Sequence, residues 1–272
     1  QWQRSLGGTS NEQAFCIRQT ADGGYIIAGI ADSFDGDVTG HHLLWDCWLI
    51  KLSATGNIEW QRCYGGSGED EAFSVEQTAD GGFIVAGLSE STDGDVTGNH
   101  GGWDYWIFKT DGIGNLQWQK SLGGTGVDGG SAIQLTADGG YIVTGYSQST
   151  DGDVTGNHGA NDIWLVKLDN GGNLQWQKSQ GGSNRDGAAA IELAGDGYII
   201  AGGTSSNDGD VTGNHSGGDA WLVRTDSSGG ILWQKCLGGT GDDYANAISG
   251  TNDGGFVIAG RSSSNNGDVT GN

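Results

Sequence analysis

A dipeptide, Trp-Gln, returns at nearly constant intervals and divides the 272-residue chain into repeats. It begins at Trp2, Trp60, Trp118, Trp176 and Trp233, which gives spacings of 58, 58, 58 and 57 residues. The shorter interval arises in the fourth repeat, where AGDGYIIAG replaces sequences like TADGGYIVTG. Four repeats are complete, and a fifth breaks off at GDVTGN. Such a period restricts the fold to an array of similar units, because neighbouring units must bury one another's apolar faces.

Each repeat contains four short β-type segments and no helical period. In the second repeat they are AFSVEQ, FIVAGL, DYWIFK and NLQWQK, each rich in aliphatic, β-branched or aromatic residues. TADGG and DGIGN join the first and the last pair and resemble hairpin turns in which Gly takes a positive φ. Four strands per repeat predict an all-β chain, a β-propeller of four-stranded blades, five in number with the last incomplete. We expect a single domain over residues 1–272, with a piece of a longer array as the alternative.

The order of these elements resembles that of WD-repeat propellers. A closer resemblance is to a secreted bacterial propeller repeat with units LGG, GxDxA, DGGYIVxG and GGxDxWLxKL, and it covers essentially the whole chain. Arrays of this kind occur in surface proteins of Bacteroidetes. The resemblance therefore implies a protein that is secreted or held at the bacterial cell surface, and it implies no particular activity.

Charge and composition exclude several classes of partner. Twelve Lys and Arg against 34 Asp and Glu give a net charge of −22, which nucleic acid and anionic lipid would repel. No run approaches the roughly 20 apolar residues that span a bilayer, so we expect no membrane insertion. The chain has no Met and opens on no basic, apolar leader, so we expect a processed or excised piece.

The longer connections carry the most specific motif. Strands alternate in direction within a blade, so the connections typified by LGGTGVDGG and STDGDVTGNHGGW share one face, where we expect function. The second of them has the spacing of an EF-hand calcium loop, without flanking helices and with Asp in place of the closing Glu. The candidate calcium ligands are Asp35, Asp37, Thr39 and Asp46; Asp93, Asp95, Thr97 and Asp104; Asp151, Asp153, Thr155 and Asp162; and Asp208, Asp210, Thr212 and Asp219. The alternative is that these side chains only form Asx-turns and cap backbone amides.

Further residues on this face suggest either recognition or chemistry. Leu43, Leu44, Trp45 and Trp103 depart from the repeat and are candidate ligand contacts. One acidic residue per repeat precedes the first strand, and we expect it to cap that strand rather than to act as an acid or base. These residues are Glu12, Asp70, Asp128, Asp186 and Asp243.

Hairpin counting places Cys47 opposite Cys63, which makes them a candidate disulfide and leaves Cys16 and Cys236 free. For the whole chain we predict a non-enzymatic binding or spacer module, stabilised by calcium, that recognises a glycan or a protein. The alternatives are a carbohydrate-active propeller enzyme that uses carboxylates near the axis and a purely structural array.

Overall fold

The computed structural model describes residues 2–271, and their regular structure consists of short β-strands. The strands are β1 (Glu12–Gln19), β2 (Tyr25–Ala31), β3 (Asp46–Leu52), β4 (Ile58–Tyr64), β5 (Asp70–Gln77), β6 (Phe83–Ser89), β7 (Asp104–Thr110), β8 (Leu116–Leu122), β9 (Asp128–Leu135), β10 (Tyr141–Ser147), β11 (Asp162–Leu168), β12 (Leu174–Gln180), β13 (Asp186–Ala194), β14 (Gly197–Thr204), β15 (Asp219–Thr225), β16 (Ile231–Leu237), β17 (Asp243–Gly250) and β18 (Phe256–Ser262). Among these residues no helix is long and apolar enough to cross a membrane.

The chain divides into two compact units, Gln1–Leu135 and Thr136–Asn272. The first unit contains the antiparallel sheets β1-β2-β3-β4 and β5-β6-β7-β8, followed by β9. The second contains β10, β11 and β12, the sheet β13-β14-β15-β16, and the two-stranded sheet β17-β18. Each complete blade therefore takes three strands from one Trp-Gln repeat and its fourth strand from the start of the next, and we number the blades in chain order, so that blade 1 comprises β1 to β4. The prediction of an all-β propeller of four-stranded blades with an incomplete last blade is confirmed.

Glycines set the hairpin turns as the sequence predicted. In the TADGG turn of the second blade, Gly81 has φ of 82°, and in the DGIGN turn Gly114 has φ of 81°. Side chains other than Gly rarely adopt this conformation, so the glycines fix where each strand ends. A buried lysine stabilises the TADGG turn. In blade 1, Lys51 Nζ lies 2.8 Å from Asp22 Oδ2 in this turn.

Large aromatic side chains fill the space between adjacent blades. Trp106 of blade 2 is fully buried and packs in one cluster with Leu49 of blade 1. Trp60 of blade 1 lies 5.7 Å from the ring of Phe83 in blade 2, and its Nε1 donates to the Gly112 carbonyl at 3.1 Å. Repeated tryptophans therefore pack blade against blade at these positions.

The predicted disulfide between Cys47 and Cys63 is wrong, because the register of their hairpin is shifted by one residue. Cys47 lies opposite Tyr64, and Cys63 lies opposite Trp48. The shift arises at a bulge between Lys51 and Leu52, which hairpin counting did not include. Neighbouring residues of a strand point to opposite faces, so the two thiols enter different clusters. Both are free, and so are Cys16 and Cys236, as predicted for the latter two.

Candidate binding surface on the long loops

The first acidic residues of each long loop bind the loop that precedes the same blade. Asp35 Oδ1 accepts a hydrogen bond from the Thr9 amide at 2.8 Å, and Asp93 Oδ1 accepts one from Ser67 at 2.7 Å. Asp208 does the same with the Ser183 amide at 2.7 Å. Their neighbours Asp37, Asp95 and Asp210 accept from the amides of Gly7, Gly65 and Gly181 at 3.2, 3.4 and 3.3 Å. These carboxylates thus satisfy backbone donors that a long connection would otherwise leave unpaired.

The last acidic residue of each loop pairs with the loop histidine. His42 donates its backbone amide to Asp46 Oδ2 at 2.8 Å, and its Nδ1 lies 2.9 Å from the same oxygen. The pattern recurs in His100–Asp104, His158–Asp162 and His215–Asp219, with Nδ1 to Oδ2 distances of 2.7, 2.6 and 2.7 Å. Burial raises the pKa of Asp46, and the hydrogen bond to Asp162 raises the pKa of His158. There is one such pair in each of the four complete blades, so each histidine holds the loop of its own blade.

The candidate calcium ligands do not converge on one point. In blade 1, Asp35 and Asp37 face the preceding loop, and Asp46 is buried against His42. Thr39 Oγ1 accepts instead from the side chain of Gln61 on β4, and Thr97, Thr155 and Thr212 are held in the same way. Residues 2–271 contain no group of three or more His, Cys, Asp or Glu placed to hold a metal ion. The geometry supports the turn-forming alternative, and calcium binding stays a prediction.

The acidic residue that begins the first strand of each blade caps the adjacent glycine loop. Asp70 Oδ2 accepts from the Gly66 amide and the Ser91 hydroxyl, both at 2.8 Å. Glu12, Asp128, Asp186 and Asp243 likewise accept from the amides of Gly8, Gly124, Gly182 and Gly239 at 3.0, 2.9, 2.7 and 2.9 Å. The capping role is confirmed. Four of these five carboxylates are fully or almost fully buried, the exception being Glu12.

A second carboxylate lies close to Asp70 at the junction of the first two blades. A methyl group placed on Gly65 would overlap Asp70 Oδ2 and lie 2.9 Å from Asp46 Oδ1, so only glycine fits between the two carboxylates. Burial raises the pKa of Asp70 to about 6, and the negative charge of Asp46 contributes to the rise.

The long loop of blade 1 carries three exposed apolar side chains, Phe34, Leu43 and Leu44, and with half-buried His41 they make up what we name the blade 1 patch. Phe34 is 67% exposed, Leu43 65% and Leu44 44%. The rings of Phe34 and His41 meet edge to face with centroids 4.4 Å apart. Leu43 also borders a shallow depression lined by Ser67 and Asp93 of the next blade.

The structure thus places the predicted contacts Leu43 and Leu44 in solvent, whereas Trp45 and Trp103 are half-buried. The carbonyls of Trp45 and Trp103 accept from the amides of Asp70 and Asp128 at 2.7 and 2.6 Å, which fixes their backbone.

Sequence reasoning missed Phe34 and His41, although alignment of the repeats contains the signal. Phe34 stands where the other repeats have Thr92, Thr150, Asn207 and Asn265. His41 stands where they have Asn99, Asn157 and Asn214, whose Nδ2 atoms donate to the carbonyls of Ser89, Ser147 and Thr204. Neither ring nitrogen of His41 has a hydrogen-bond partner. Blade 1 has therefore exchanged a hydrogen-bonded amide for an aromatic contact.

Comparison with known proteins finds similarities to parts of other proteins and shows no specific function. No protein-family model matches the chain. The regulatory protein FlaEY of Caulobacter vibrioides is 29% identical over 168 residues, which cover 54% of this chain and 17% of FlaEY. The chain therefore spans about a sixth of the length of this curated relative.

Several solved structures resemble the chain at low identity. A protein of unknown function from Bacteroides caccae has a TM-score of 0.45 at 12% identity, over 85% of this chain and 69% of that one. Sqt1 from Chaetomium thermophilum has a TM-score of 0.41 at 14% identity, over 88% and 64% of the two chains. A xylan beta-1,4-xylosidase from Bacillus halodurans C-125 has a TM-score of 0.40 at 13% identity, over 94% and 49%. The assignment to the propeller class rests on the strand pairing within this chain.

Proposed function

We propose that the chain is a non-enzymatic binding module that recognises a partner protein through the blade 1 patch. The observation that carries the proposal is that, among the equivalent long loops, the loop of blade 1 is the one that exposes large apolar side chains. At the position of Leu43 the other repeats have Gly101, Gly159 and Ser216, and at the position of Leu44 they have Gly102, Ala160 and Gly217. The fold therefore forms without apolar residues there, so their presence in blade 1 serves a contact outside the blade.

The surroundings of the patch indicate the chemistry of the partner. Exposed Asp35 follows Phe34 in the chain, and exposed Asp93 lines the depression beside Leu43. The chain as a whole carries a charge of −22. A partner segment with an apolar anchor flanked by Lys or Arg complements both features, because opposite charges speed encounter while the buried anchor supplies affinity.

A glycan is the second candidate ligand, supported by the half-exposed indoles of Trp45 and Trp103. An aromatic face beside polar loop groups suits a sugar ring as well as a protein side chain. The proposed location is outside the cell or at the bacterial cell surface, in keeping with the resemblance to secreted repeats. Calcium is proposed only as a stabiliser of the long loops.

The test compares patch variants on a peptide array and on a glycan array, each probed with and without calcium. We expect wild-type protein to select peptides with an apolar residue between basic ones, and Phe34→Ser or Leu43→Ser to weaken that binding about thirtyfold, as loss of an anchor does. Ile113→Ser is the matched control, since Ile113 is 64% exposed in a turn outside the patch. Binding to glycans that Trp45→Ala abolishes and Leu43→Ser preserves would favour the second candidate. Equal binding by all variants would contradict both.

A further inference from the structure

We propose that an open groove between blades 3 and 4 binds a neutral saccharide. The groove lies among the short turns within residues 136–227 and has a volume of about 340 Å³, which is in the range of small-ligand sites. It shares no residue with the blade 1 patch, and the inference is independent of the proposed function.

Two aromatic side chains line the groove. Trp176 of β12 is half-buried, and the centroid of its ring lies 6.3 Å from that of Tyr198 on β14. At the equivalent place in blade 1, the indole Nε1 of Trp60 donates to the Gly112 carbonyl at 3.1 Å. The indole of Trp176 makes no such bond within residues 2–271, although Ser227, the equivalent of Gly112, also lines the groove. Trp176 therefore offers a free donor beside a flat apolar surface, on which a sugar ring can stack.

A buried tyrosine supplies a second donor. Tyr198 is only 5% exposed and lines the groove, and its hydroxyl has no hydrogen-bond partner among the described residues. Burial raises the pKa of Tyr198, so this hydroxyl stays protonated at neutral pH. A polar group that is both buried and unpaired costs stability. A ligand in the groove that accepts from the hydroxyl would recover that loss.

A change from the pattern of blades 1 and 2 supplies a third donor. In blade 2, Gln77 Oε1 accepts a hydrogen bond from the Ala21 amide of blade 1 at 2.8 Å. The equivalent of Gln77 in blade 4 is Leu193, which has no acceptor, and the equivalent of Ala21 is Ala137. The Ala137 amide has no acceptor in the described part of the chain, and Leu193 is 45% exposed. The exchange thus gives the groove a free backbone donor and an exposed apolar side chain.

The charged groups at the groove are paired, and their carboxylates remain accessible. Lys167 Nζ lies 2.9 Å from Asp138 Oδ2, and Arg224 Nη2 lies 3.7 Å from Asp196 Oδ1. The side chains of Asp138 and Asp196 are 54% and 86% exposed. Hydrogen bonds from Thr136 and Lys167 lower the pKa of Asp138 to about 2, so this carboxylate is an ionised acceptor at neutral pH.

This combination of groups favours a neutral ligand that is rich in hydroxyl groups. A hydroxyl both donates and accepts, so one saccharide can accept from Tyr198 and Ala137 and donate to Asp138. A phosphate or a carboxylate would be repelled by the exposed aspartates on a chain of net charge −22. An apolar peptide side chain would leave the free donors unpaired. A neutral saccharide avoids both penalties.

The experiment probes an array of neutral oligosaccharides of glucose, mannose, galactose and N-acetylglucosamine with the labelled protein, and measures the strongest binder by isothermal titration calorimetry. We expect saturable binding. Tyr198→Phe should weaken it about fivefold, because the variant loses one hydroxyl donor and keeps the ring. Phe83 occupies this position in blade 2, so the blade accepts the change. Tyr25→Phe is the matched control, since Tyr25 is the equivalent in blade 1, and it should bind like the wild type.

A second variant restores the residue of blades 1 and 2. Leu193→Gln should weaken saccharide binding at least about tenfold, because the new side chain would accept from the Ala137 amide as Gln77 accepts from Ala21. It should not lower the melting temperature, since it adds a hydrogen bond between blades and removes an exposed apolar side chain. Thermal denaturation measured without saccharide checks that the fold is intact.

The outcomes separate this groove from the surface of blade 1. The proposal is overturned if no neutral oligosaccharide binds saturably, or if Tyr198→Phe and Leu193→Gln bind like the wild type. Binding that Trp45→Ala abolishes and both groove variants preserve would also overturn it, and would support the glycan alternative of the proposed function. Binding that the groove variants weaken and Trp45→Ala preserves would support the groove, whatever the blade 1 patch binds.

Discussion

The long loops of the first and fourth blades share the same frame, by which we mean the residues that hold the backbone or fill the blade interior. The two loops nevertheless expose different side chains. In both, an aspartate caps the preceding loop (Asp35 and Asp208) and a histidine pairs with a buried aspartate. The exposed positions differ, since Phe34 of the first loop corresponds to Asn207 of the fourth. Residues that hold the backbone recur because every blade needs them. Residues that project into solvent are under no such requirement, and there blade 1 has acquired an apolar surface.

The largest effect should follow from removal of a frame residue in the blade interior. Trp164 is fully buried, and its Nε1 donates to Gln177 Oε1 at 2.8 Å. Trp164→Ala should lower the free energy of unfolding by about 3–5 kcal/mol, because it leaves a cavity that the blade cannot fill. Urea denaturation measures the change. Half-buried Trp45 is the comparison, and Trp45→Ala should cost clearly less; equal losses would remove the distinction between frame and surface.

The next largest effect is a pH dependence at the frame of blades 1 and 2. The pKa of Asp70 is raised by burial from 3.8 to about 6. Its contribution to stability is therefore complete below about pH 4 and is lost as the pH rises through 6, by on the order of 2 to 3 kcal/mol. Urea denaturation between pH 4 and 7.5 measures the loss.

Asp70→Asn is the control for this pH dependence, because an amide does not titrate and should reduce the decline with pH. Carboxylates with a lowered pKa act in another window. The hydrogen bond from Lys109 lowers the pKa of Asp80 to about 2, so its contribution is lost only as the pH falls below 4. A free energy of unfolding that rises between pH 4 and 7 would contradict the assignment to Asp70.

Removal of the capping aspartate should have a smaller effect on stability, and the effect should be similar in the first and fourth blades. Asp35→Ala and Asp208→Ala each leave a backbone amide without its acceptor, so each should lower the melting temperature modestly and by a similar amount. Thermal denaturation by circular dichroism measures both. A loss in blade 4 with none in blade 1 would show that the two frames are not equivalent.

The exposed residues of the blade 1 patch should have almost no effect on stability. Phe34→Ser and Leu43→Ser should change the free energy of unfolding by no more than about 0.5 kcal/mol, as exposed substitutions usually do. The same variants should weaken partner binding, so the pair of measurements separates surface from frame. Variants that lose stability and still bind the partner as the wild type does would show that the patch is part of the core.

Calcium should produce the smallest change. The loop carboxylates that it requires already accept hydrogen bonds from backbone amides, and binding would have to replace those bonds. We expect calcium to raise the melting temperature slightly relative to EDTA. Superimposable melting curves, together with no calcium detected by mass spectrometry, would exclude calcium as a stabiliser of these loops.

The sequence by itself determined the blade, its four strands and its turns. The repeat spacing, the segments rich in aliphatic, β-branched and aromatic residues and the glycines of the turns can all be read from the sequence, and β5 through β8 follow the segments they predict. The same signals identified Leu43 and Leu44 as departures from the repeat. The caps at Asp70 and its equivalents were also predictable, since each carboxylate lies four residues from the amide that donates a hydrogen bond to it.

Only the tertiary structure decided which atoms meet. The bulge after Lys51 shifted Cys63 away from Cys47, and no local signal marks which hairpin residue is bulged. Asp35 is bonded to Thr9, an amide 26 residues away, so its EF-hand spacing did not reveal its partner. Exposure likewise depends on neighbouring strands: nearly identical sequences are buried in β6, which pairs with strands on both sides, and half-buried or exposed in β18, which within residues 2–271 pairs with β17 alone. Local patterns specify strands and turns, whereas register, hydrogen-bond partners and burial depend on segments distant in sequence.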